Sequence, residues 1–142
     1  MSAGSLTALQ TILPGKWISP IMDLCEKYGI KEIKLGKDHY FEGTAAMFHR
    51  EKMMITIDPT FDRGLLAAKI KKNFGIEVSL EEAAVVAIGH EIGHLVSGRK
   101  CGIVLQWMYP RLFDEREKAA DRWAVEEFLR LKKEMEWPSI LR

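Results

Sequence analysis

Residues 79–98 read SLEEAAVVAIGHEIGHLVSG, and the fold of the whole chain turns on how they are read. Ser79 followed three residues on by Glu82 is a capping box, which predicts a helix launched there and closed near Gly98. Val85, Val86, Ile88, Ile92, Leu95 and Val96 make that helix apolar on nearly all sides, so it is expected to run through the core. Yet it carries His90, Glu91 and His94, and buried polar side chains are costly unless something satisfies them. Gly89 and Gly93 each cost about 1 kcal/mol of helix stability relative to alanine. Glycine is tolerable at such positions where another element must approach the helix closely.

His90 and His94 stand four residues apart, hence on one face and one turn apart. Two imidazoles so placed can reach one zinc ion at roughly 2.0–2.1 Å each. Glu91 projects beside that face, where a carboxylate can take a proton from metal-activated water without being a ligand. The stretch is thus an HExxH motif, and the chemistry accounts for its spacing. Two solvated histidines beside a solvated glutamate would need no explanation, but the apolar flanks argue against that bland reading.

A catalytic zinc takes three protein ligands and keeps one position open. The extended pattern HExxHxxGxxH would need histidine at position 100 and glycine at 97; lysine and serine stand there, which excludes that class. In EREKAADRWAVEEFLRL, Ala120, Ala124, Phe128 and Leu131 form an apolar stripe that Glu117 and Asp121 extend upstream. Carboxylates on the inward side of a helix need a compensating charge. Glu117 is therefore expected as the third ligand, and Asp121 as the acceptor for the far ring nitrogen of a ligand histidine. The reverse assignment stays open, as does a capping box from Asp114 to Glu117 with Asp121 solvated. Ala119, Ala120 and Ala124 would let the two helices lie close. Cys25 and Cys101 belong to no such stripe, although neither is excluded as a ligand.

Outward from these helices the chain reads as alternating punctuation. Ile21, Leu24, Cys25 and Tyr28 predict a helix ended by Gly29, and KEIKLG a short strand. TAAMFH and MMITID predict two strands joined by a tight turn at Arg50, Glu51 and Lys52. Asp58-Pro59-Thr60 precedes a helix from about Phe61 to Phe74, which Gly75 closes. RKCGIVLQWMYP reads as irregular, and the last helix as Leu112 to Glu136, stopping before Pro138. The order predicts an α+β domain with a small antiparallel sheet.

HEIGH with the downstream E117-K-A-A-D121 resembles the gluzincin metallopeptidases, and most nearly the small, soluble ImmA/IrrE-type peptidases and minimal gluzincins. The likeness spans roughly residues 44–131 and includes EEAAVVAIGHEIGH, EKAADRWAVEEF and the strand MMITIDP. It implies a zincin-like fold with a zinc held by His90, His94 and Glu117. It also implies Glu91 as general base, Asp121 behind a ligand histidine, and a substrate strand added at TAAMFH or MMITID. A second electrophile for the oxyanion is expected among Tyr109, His39, His49 and Tyr40. Tyr109 is favoured because it lies between the two site helices.

Length and composition fit this reading. The 142 residues suggest one domain, and 21 basic against 20 acidic residues leave a net charge of +1. No global field recommends nucleic acid or a membrane as partner. Lys69, Lys71 and Lys72 read as a solvated helix face. Two cysteines and an N-terminus without a signal-peptide pattern suggest a reduced, cytoplasmic setting. The expectation is a zinc peptidase acting on short peptides or unfolded protein, of unspecified oligomeric state. The rival is a zinc-stabilised interaction module without catalysis.

Overall fold

The computed structural model describes residues 1–36, 45–97 and 103–141, with the side chains of residues 103, 104 and 137–141 outside the description. His39, Tyr40 and Cys101 therefore lie outside the described residues. Among the described residues, six helices and three strands follow in the order α1 (Ala3–Ile12), α2 (Gly15–Lys27), β1 (Glu32–Leu35), β2 (Ala46–His49), β3 (Met54–Ile57), α3 (Arg63–Phe74), α4 (Ala83–Ser97), α5 (Ile103–Met108) and α6 (Pro110–Leu141). The class is α+β.

The sheet is not the antiparallel one expected. β2 and β3 form the anticipated antiparallel hairpin, but β3 lies between β2 and β1 and runs parallel to β1. Alternating burial tells a strand which face is wet, not which neighbour it takes, so the hairpin's placement was invisible in the sequence. Ile33, Ile55, Ile57 and Ala46 point into the core from one face of this sheet. Met47, His49 and Thr56 alternate to the other face, where His49 Nε2 and Thr56 Oγ1 are 3.0 Å apart.

Three further departures have local causes. α1 was not anticipated; Ser2 caps it through the Ser5 amide, and it packs on β1, where Ser5 Oγ accepts from the Ile33 N–H at 2.9 Å. α5 is a six-residue helix inside the stretch read as irregular, too short for a periodic pattern to register. α6 begins at Pro110, a residue suited to a first helical turn, and continues past Pro138.

α4 is the axis of the core. Its N-terminus carries the expected capping box: the Ser79 N–H donates to Glu82 Oε1 and the Glu82 N–H to Ser79 Oγ, both at 3.0 Å. Glu82 also pairs with Lys132 of α6 at 3.1 Å, locking the two helices at that end. Ala83 to Ile88 and Ile92 are buried together with Ala124, Val125 and Phe128 of α6, and Phe128 stacks on Trp17 of α2. A Cβ on Gly93 would come within 2.9 Å of the Ala120 carbonyl oxygen, and one on Gly89 within 3.1 Å of Ala124 Cβ. The helices meet with almost nothing between their backbones, which explains both glycines. Ala119 is exposed and plays no part in that contact. Among the described residues, no helix is long and apolar enough to cross a membrane.

Candidate metal centre

The α4–α6 contact places one turn of each helix against the other. His90 and His94 leave α4 on the side where α6 presents Glu117 and Asp121. Their Nε2 atoms are 3.0 Å apart, His90 Nε2 is 2.8 Å from Glu117 Oε2, and His94 Nε2 is 3.2 Å from Glu117 Oε1. These three side chains form a group that can hold a metal ion. Ligand atoms about 2.05 Å from a tetrahedral metal lie about 3.3 Å from one another, so the spacing suits a shared ion with little movement. Two imidazole nitrogens and one carboxylate are also a donor set that a borderline divalent metal accepts.

Asp121 occupies the supporting position. It is 2% exposed, and its Oδ1 accepts from His90 Nδ1–H at 2.6 Å, which leaves His90 Nε2 to face the cluster. Its other oxygen is buried and faces Lys69 Nζ, 3.1 Å away, as an ion pair. His94 is less completely held, since its Nδ1 is buried with no partner among the described residues.

Charge balance in the metal-free chain follows from this packing. Burial alone would push the His90 imidazole down, but its hydrogen bonds to Asp121 and Glu117, with the charges of Glu91 and Glu117, raise it to about 10. Burial likewise opposes ionisation of Glu117 and Asp121. The imidazoles overcome it at Glu117, while His90 and Lys69 overcome it at Asp121, so both acids sit below the usual carboxylate range. Glu91 behaves differently. Burial pushes it up to about 7, with ionised Glu117 adding to the rise; His90, His94 and the Phe48 backbone amide pull the other way. Two carboxylates in one site thus differ in their readiness to carry a proton.

The Phe48 amide marks what lies beside Glu91. The Asp58 N–H donates to the Ala45 carbonyl, so by antiparallel alternation Ala45, Met47 and His49 bond toward β3. The backbone groups of Ala46 and Phe48 therefore point outward, along the edge of β2 that meets α4. The opposite edge of the sheet is partly occupied where Ser5 takes the Ile33 N–H. MMITID, as the central strand β3, has both sides paired and cannot accept an added strand; among the described residues, β2 lies at an edge of the sheet.

Of the residues expected at the site, His90, Glu91, His94, Glu117 and Asp121 come together. Tyr109 stands at the α5–α6 junction, 59% exposed, and His49 faces away from α4 with Thr56. Lys69 was overlooked, because a lysine beside Lys71 and Lys72 on a polar helix gives no sign of reaching a buried carboxylate three elements later. No protein-family model, curated protein or solved structure matches this chain.

Proposed function

We propose that this chain is a zinc-dependent metallopeptidase of gluzincin type that hydrolyses peptide bonds, with His90, His94 and Glu117 as the zinc ligands and Glu91 as the general base. The convergence of three ligand atoms from two helices, with a second, proton-ready carboxylate beside them, carries the reading. When bound, zinc would supply a Lewis acid that polarises the scissile carbonyl and acidifies water.

The remaining work falls to the chain itself. Glu91 accepts the proton of the attacking water and returns it to the departing amine, a task suited to a carboxylate that binds a proton near neutral pH. Asp121 holds His90 in one tautomer and one orientation. With the Phe48 amide engaged by Glu91, the outward Ala46 N–H and the carbonyls of Ala46 and Phe48 are the groups that would bond an added peptide strand. Such a strand must be unfolded to be bound, so peptides and unfolded segments are the expected substrates rather than nucleic acid or folded domains.

The test is Glu91→Gln, assayed for zinc content and for cleavage of an unstructured fluorogenic peptide library. A peptidase loses at least about a hundredfold in turnover while keeping one zinc per chain. Wild type that binds zinc yet cuts nothing, with the variant identical to it, would instead leave a zinc-stabilised interaction module.

A further inference from the structure

Asp121 is a buried carboxylate whose two oxygens face different partners. Oδ1 is committed to His90 Nδ1–H at 2.6 Å, while Oδ2 is buried away from the imidazole. The cation facing Oδ2 is Lys69 Nζ at 3.1 Å. Lys69 belongs to α3, which contributes only Ile70 to the buried core. Its neighbour Lys71 turns to exposed Glu77, as a lysine on a solvated face does, but Lys69 reaches inward while remaining 49% exposed. A long stem along the surface with its ammonium over a buried acid is what lysine geometry allows.

We propose that Lys69 is a positioning residue for the metal centre, holding Asp121 so that His90 presents Nε2 to the ion. This rests on the zinc reading for its metal, though not for the Lys69–Asp121–His90 chain. A buried anion that loses its counter-charge is costly. The carboxylate relieves that cost by swinging toward water or admitting it, and either movement misaligns the bond to His90 Nδ1–H. The imidazole then has rotational freedom that must be lost again whenever a metal binds. Losing a partner behind a metal ligand typically weakens metal binding 10- to 100-fold, and a residue one step further out belongs near the lower end.

The experiment compares wild type with Lys69→Met, which keeps most of the aliphatic stem, and Lys69→Arg, which keeps the charge. Zinc affinity is read by competition with a chromophoric chelator. The His90 Nδ1–H proton is read by NMR of the metal-free protein, where so short a bond gives a downfield, slowly exchanging resonance. Expected are about tenfold weaker zinc binding and a lost or broadened resonance in Lys69→Met, with both restored in Lys69→Arg. Asp121→Asn should weaken zinc at least as much, and adding Lys69→Met to it should cost little more.

A Lys69→Met protein that keeps both affinity and resonance overturns the proposal. So does equal loss in the methionine and arginine variants, particularly if both melt earlier, because that marks a packing role. If wild type takes up no zinc, the peptidase reading fails by itself. The NMR comparison then decides alone: a resonance present in wild type and lost only in Lys69→Met supports the positioning chain, and an unchanged one overturns it.

Discussion

At His90 a proton and the proposed metal ion would compete for one ring nitrogen, Nε2. Its imidazole holds a proton up to about 10 in the metal-free chain, against an ordinary value of 6.5, because two carboxylates bond to it. A folded-state value above the unfolded one stabilises the metal-free fold fully below pH 6.5, and that contribution is lost as pH rises through about 10. Zinc needs the same Nε2 without its proton, so binding is expected to tighten about tenfold per pH unit across roughly pH 7–9. Chelator competition at three pH values checks this; a flat profile would remove the proton from the site. Glu91 gives a second expectation of fixed sign. Its raised value penalises the metal-free fold above pH 4.5, with the penalty complete above about 7. Glu91→Gln is therefore expected to melt higher than wild type at pH 8 and to lose that advantage near pH 4.5. Glu117→Ala should abolish most zinc uptake, since it leaves two imidazoles without their third ligand.

At the scale of elements, the close crossing of α4 and α6 does the positioning. Gly93→Ala puts a methyl group within 2.9 Å of the Ala120 carbonyl oxygen, and that atom is backbone, which cannot fold aside. Overpacking of this kind costs about 1–3 kcal/mol, against a helix-propensity gain of about 1 kcal/mol. The expected outcome is a net loss of stability with a larger loss in zinc affinity, because Glu117 moves with α6. Thermal melts paired with zinc titration would show it; a variant more stable than wild type with unchanged affinity would mean the helices can part at no cost. This crossing was readable in advance. The glycines of α4 and the alanines of α6 announced a near approach, and the spacing of Glu117 and Asp121 named the face. The sheet was less readable, because strand order depends on which partners meet after the hairpin forms. α1 gave no sign in the patterning, and its Ser5 bond to β1 joins residues 28 apart. Lys69 stayed hidden for a related reason: an exposed lysine reports its function only through what it touches.

For the whole molecule, one buried cluster draws on α1, α2, all three strands and helices α3, α4 and α6, so site and core share the same α4–α6 joint. Anything that binds only the assembled joint stabilises the entire fold. Free zinc at a thousand times its Kd would add about 4 kcal/mol, which in a chain of this length raises Tm on the order of 10 °C. Adding a chelator should reverse the gain, and a Tm indifferent to zinc would separate the metal from the joint. The same layout orders events in time. His90 and His94 are synthesised well before Glu117, and Glu117 is held only once the stretch from Ala120 to Leu131 has closed onto α4. During translation the chain therefore carries two of the three candidate ligands before the third is in place. On the proposed peptidase reading, activity would wait until the last long helix docks.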